Sequence, residues 1–147
     1  MLATLRAPWR GRSTPVNAWW GGFDLGVNLY SGRSAEPPSK GFIFANSMDA
    51  QEIAIGWWPG DHRYGHAAFY AYAHPAGAEF PSADLSLGHW EGTLGEYILD
   101  WDDVVRKPDP HSAAFEFGRS VARHACITCD WDPELAASLE GHPPPIR

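Results

Sequence analysis

The sequence predicts an α+β fold: an antiparallel β-sheet covered by a C-terminal helix, with a short terminal helix after it. Three observations carry this prediction. Apolar residues alternate with period two in several segments up to Asp100, the spacing lengthens to three and four residues after Asp109, and the strand-like segments all precede the helical ones.

The first strand is read where alternation begins, with Phe23, Leu25, Val27 and Leu29 on one face and Asp24, Gly26, Asn28 and Tyr30 on the other. The stretch from Ser31 to Gly41 is dense in Ser, Gly and Pro and reads as a long surface loop. Alternation returns from Glu52 to Trp58, with Ile53, Ile55 and Trp57 opposite Ala54, Gly56 and Trp58, and Pro59-Gly60 closes it. Ala67 to His74 is the clearest strand: Phe69, Ala71 and Ala73 share one side, Tyr70, Tyr72 and His74 the other, and Pro75 stops it. Glu96 to Asp100 is a fourth strand, bounded by Gly95 and by an acidic turn at Asp102-Asp103.

Asp109-Pro110 then supplies the N-cap and first-turn residues of a helix. Ala114, Phe117, Val121 and Ala125 fall on one helical face, suited to lie across a sheet. Asp132-Pro133 repeats the start signal for the last helix, which Gly141 and the Pro143-Pro144-Pro145 run terminate.

The 147 residues, 44% hydrophobic and 20% charged, suit one globular domain. Its expected layout is an irregular, disordered N-terminal arm over residues 1–21, the domain over 22–141, and a Pro-rich tail over 142–147. No apolar run approaches the roughly 18 residues of a membrane span. The net charge of −7 argues against nucleic acid, whose binding draws on Lys and Arg. Between Tyr64 and Val105 there is no Lys or Arg, while seven acids accumulate.

The segments Gly22-Phe23-Asp24-Leu25 with Tyr30-Ser31-Gly32-Arg33, Trp57-Trp58-Pro59-Gly60, Ala68 to Ala73, Leu94 to Leu99, and Trp131-Asp132 follow one another in an order that resembles the C-terminal half of an uncharacterised bacterial family, domain of unknown function 5996. The likeness runs from about Trp20 to Leu139. It implies a β-rich domain packed by a C-terminal helix and supplies no activity. Members of that family are typically about twice as long, and Val16-Asn17-Ala18-Trp19-Trp20 looks like an element of their upstream half. Either the chain is a single-unit version or that half is missing.

Cys126-x-x-Cys129, with His124 nearby, is too small a set for a structural zinc site, and its expected state is reduced and metal-free in a cytoplasmic setting. His62 and His66, with Asp61 and His74, have the residue types of a metal site. Pro59-Gly60 and Gly65 place them on a loop, where four-residue spacing does not bring two rings together. No metal and no cofactor is therefore expected. No Ser-His-Asp order, phosphate loop or nucleophile elbow is present.

The aromatic residues give the expected site: Trp57, Trp58, Tyr70, Tyr72 and His74 on two neighbouring strands, with Asp24 and Asn28 adding polarity. A small-molecule-binding domain, with its pocket between the aromatic sheet face and the helix, is the leading reading. The alternatives are an enzyme using Asp24, His62, His66 or His74 in the same cleft, and a structural or protein-interaction module; a homodimer is the expected assembly.

Overall fold

The computed structural model describes residues 1–140. Six strands form one antiparallel sheet in the order β1-β2-β3-β4-β6-β5: β1 Asn17–Trp19, β2 Asp24–Ser34, β3 Ala50–Trp58, β4 Ala68–His74, β5 His89–Glu91 and β6 Glu96–Asp100. The helices are α1 Leu2–Arg6, α2 Phe42–Ser47, α3 Trp101–Val105, α4 Pro110–Thr128 and α5 Pro133–Ser138. The α+β class and the antiparallel sheet are those read from the pattern of periods.

One face of the sheet carries the main core. Val27 and Leu29 of β2, Ile53 and Ile55 of β3, and Ala71 of β4 are fully enclosed there beneath α4. The helix meets them with Ala114, Phe117, Val121 and Ala125, the residues whose spacing marked its apolar face. Its start is fixed by the Asp109 carboxylate, which accepts a hydrogen bond from the Ser112 amide at 3.0 Å, and α5 is capped likewise by Asp132 accepting from the Glu134 amide at 2.9 Å. At Gly118 a side chain would come within 3.1 Å of Leu5 and 3.3 Å of Ile55, so the glycine lets α1 and β3 approach the helix closely.

The N-terminal segment departs from expectation. Residues 1–21 are not an irregular arm: α1 buries Leu5 completely, and Trp9, 8% exposed, packs on Trp131 with ring centroids 6.3 Å apart. Farther on, the Tyr30 amide donates to the Arg12 carbonyl at 2.9 Å and the Thr14 amide to the Asn28 carbonyl at 3.0 Å, so the leader runs along the free edge of β2 before β1 pairs with it. A strand edge offers unpaired amides and carbonyls, and a covering segment satisfies them. These contacts are long in sequence, so local Pro and Gly content does not reveal them.

Three smaller differences follow the same logic. Phe23 sits in the β1–β2 turn at φ 54° rather than on the strand's apolar face, and is 70% exposed. The strand β2 runs on to Ser34 through a register shift after Tyr30, and α2 follows the remaining loop. The acidic turn is the first turn of α3, where Asp102 and Asp103 face the positive end of the helix dipole. Gly141 and the tail over 142–147 lie outside the described residues. No helix among the described residues is long and apolar enough to cross a membrane.

Since Leu5 is fully enclosed, Leu5→Ala should cost about 2–5 kcal/mol, the range for emptying a buried leucine site, in a chemical-denaturation measurement. A loss near zero would mean the leader is loosely attached in solution.

Candidate functional site

The second face of the sheet holds a half-open groove of about 500 Å³. Its floor comes from alternate residues of the central strands: Asn28 of β2, Glu52, Ala54 and Trp58 of β3, Tyr70 and Tyr72 of β4, and Glu96 of β6. One wall is α2 with the following turn, through Ile43, Phe44, Asn46, Ser47 and Met48. Arg12, Tyr30 and Asp49 also line it, as do Trp19, Gly22 and Asp24 of the β1–β2 hairpin, together with Arg63 and Leu94.

Strand register makes this floor. Gly26 pairs with Gly56, and Gly56 with Tyr70, so two glycines stand in line beside the tyrosine. The Tyr70 ring lies down over both and its hydroxyl donates to Asp24 Oδ2, two strands away. A Cβ on Gly56 would fall 2.5 Å from the Tyr70 ring and hydroxyl, and one on Gly26 would fall 2.8 Å from the hydroxyl. Tyr72 stacks beside Tyr70, with centroids 6.3 Å apart and planes 13° from parallel. Trp58 is flanked by Tyr64, whose hydroxyl donates to Asp100 at 2.8 Å, and by the Arg63 guanidinium, 5.9 Å from the Trp58 ring centre.

Burial sets the charges. Enclosure raises the Tyr70 phenol above its ordinary range, the Asp24 carboxylate adding to the effect, and raises Tyr72 in the same direction. Glu52 is 1% exposed and its Oε2 has no hydrogen-bond partner. Desolvation pushes its carboxyl up, against an opposing effect from the Asn28 side chain. Glu96 is pushed up to about 7, chiefly by burial, with Arg63 pulling it down and Asp24 pushing it further up.

Of the residues singled out from sequence, Asp24, Asn28, Trp58, Tyr70 and Tyr72 line this groove. Trp57 does not. As the neighbour of Trp58 on a pleated strand it points to the helical face, where it meets Trp101 edge-on at 6.1 Å. His74 lies at the far end of β4, its Nε2 3.0 Å from the Glu36 carbonyl, and is not among the lining residues. His62 and His66 are exposed on the β3–β4 connection, and no three His, Cys, Asp or Glu side chains among the described residues are grouped closely enough to hold a metal ion. The groove is also not between the aromatic face and the C-terminal helix: α4 covers the face whose residues are uniformly apolar, leaving the aromatic face to α2. Cys126 is buried on α4, its thiol pushed up to about 12 by enclosure, while the Cys129 sulfur lies 3.4 Å from the Gly77 amide.

Among the lining residues that sequence reasoning left out of the expected site, besides α2 and the residues beside it, are the acids Glu52 and Glu96. A signal existed for Glu52, because alternation puts it on the Ala54-Gly56-Trp58 face of a strand otherwise free of charge between Ile53 and Trp58.

A carboxyl with a raised folded-state pKa holds its proton more tightly in the folded chain. Its favourable contribution is complete below the ordinary value of 4.5 and is lost as pH rises to about 7. Glu96→Gln should therefore raise the melting temperature at about pH 8 and leave it nearly unchanged at about pH 4. An equal shift at both pH values would show that ionisation of Glu96 is not the cause.

No curated protein and no solved structure matches the chain. A family model does, over residues 1–138, so the match takes in the leader as well as the segments that carried the resemblance. The chain belongs to the family of unknown function DUF5996.

Proposed function

We propose that the chain is a small-molecule-binding domain whose ligand lies in the groove on the sheet face opposite α4. The observation that carries this reading is the groove itself: about 500 Å³, inside the size range of small-molecule sites, with aromatic faces and a few polar groups converging on it. Tyr72 offers stacking area, the buried Trp58 and Tyr70 contribute to the floor, and Asn28 and Tyr30 offer hydrogen bonds. Binding is favoured over catalysis because the histidines named for acid-base work stand outside the groove and Asp24 is already engaged by Tyr70.

Aromatic fragments screened by amide NMR should perturb residues around Asn28, Ala54 and Tyr72 together. Trp58→Ala and Tyr72→Ala should each weaken a hit by about ten-fold, on the scale of one lost stacking contact. Perturbations scattered over the surface, or hits indifferent to both variants, would remove the reading.

A second reading, a module that meets another copy of itself, is favoured by one observation. Trp20, Phe23, Phe42 and Ile43 are 70–84% exposed beside the groove, a larger set of bare apolar side chains than a monomer needs. A symmetric pair burying them should appear in light scattering at micromolar concentration as about twice 16.2 kDa. A monomer alone would exclude it.

A further inference from the structure

We propose that the groove takes an organic cation: a ligand carrying a protonated amine on a flat or apolar body. This deepens the binding reading and rests on it. The amine would lie against Glu52, with Glu96 across β4 adding negative charge, and the body would stack on Tyr72.

The first support is an unanswered acceptor. Glu52 is 1% exposed and lines the groove, yet its Oε2 has no hydrogen-bond partner. Leaving a buried carboxylate oxygen without a donor is costly, and a bound ammonium N–H supplies the donor and the opposite charge together.

Charge around the groove points the same way. Asp24, Asp49, Glu52 and Glu96 line it against two guanidiniums, Arg12 and Arg63. Arg63 pairs with Asp61 at 2.9 Å, and Arg12 lies over the Tyr30 ring, 4.7 Å from its centre. An anionic ligand would meet four acids, the buried Glu52 among them, against two guanidiniums. The aromatic faces add to this preference, because the ring face of Trp or Tyr is its negative side and attracts a cation.

A bare metal ion fits less well than an extended cation. Asp24, Glu52 and Glu96 stand on three different strands, β2, β3 and β6, and no group of three acids or histidines among the described residues closes on one point. A ligand several ångströms long spans such a set, and one ion does not. The raised carboxyls of Glu52 and Glu96 agree with a site that lacks its counter-charge: each resists ionisation where it stands, and a bound cation would reverse that.

The test uses three probes of similar size and different charge: phenethylammonium, the neutral 2-phenylethanol and the anionic 3-phenylpropionate. Each is titrated into the full chain near neutral pH and followed by amide NMR. Phenethylammonium should bind in the groove about ten-fold more tightly than the alcohol, and the carboxylate should bind weakest. Glu52→Gln and Glu96→Gln, two variants in case one fails to fold, should lower the amine's affinity about ten-fold and leave the alcohol's unchanged. If the alcohol or the carboxylate binds in the groove as tightly as the amine, or if folded glutamine variants keep the amine's affinity, the cation inference falls and the binding reading stands. If none of the three perturbs the groove, the binding reading falls and the inference with it.

Discussion

The groove depends on one tyrosine lying flat. Neighbouring strands are about 4.8 Å apart, so for Tyr70 on β4 to reach Asp24 on β2 its side chain must cross the whole of β3, close to the backbone. Only residues without a side chain leave room for that path, and Gly56 and Gly26 occupy the two positions it crosses. The hydrogen bond at the far end holds the ring down, the ring becomes the floor, and Tyr72 stacks beside it at nearly the same tilt. Had β3 carried a larger residue at Gly56, the tyrosine would stand up and fill the groove. One of the acids of the groove is also committed by this arrangement: Asp24 serves the floor, which leaves Asp49, Glu52 and Glu96 as the other acids along it.

The two faces of the sheet are finished in different ways. On the helical side, α4 and α1 close over a continuous apolar surface, with Gly118 allowing the approach and the aspartate caps fixing where α4 and α5 begin. On the groove side the cover is α2, six residues with none of them buried. A helix of that length has little stability of its own, so its position follows from the chain segments that hold its ends. Stability therefore resides mainly in one face and the opening in the other.

Much of this was legible in the sequence, and the limit of legibility has a physical cause. Alternation in β3 and β4, the Asp-Pro helix starts and the apolar stripe of α4 are local signals, and the structure repeats them residue by residue. The helices α1, α2 and α3 and the strands β1 and β5, at three to six residues, are too short to display a period. The ordered leader is decided by partners far along the chain, Trp131 for Trp9 and β2 for Arg12 and Thr14. Within the site, alternation alone separates Trp58 from Trp57, and it points to Glu52. What it does not supply is the loss of His74 to the Glu36 carbonyl, because that contact crosses from β4 to a loop.

The strand β3 carries both duties in one segment: Ile53, Ile55 and Trp57 belong to the helical side, while Glu52, Ala54 and Trp58 belong to the groove. Pleating keeps these two sets physically apart although they interleave in the chain. Changes to the second set alter the groove and leave the packing under α4 in place, although Ala54 and Trp58 also pack in a smaller buried cluster with Ala68, Tyr70 and Ile98. Gly56 is the exception, since a side chain there would displace the floor. One strand thus wires two surfaces in alternation, and Gly56 is the position at which a side chain would reach the floor itself.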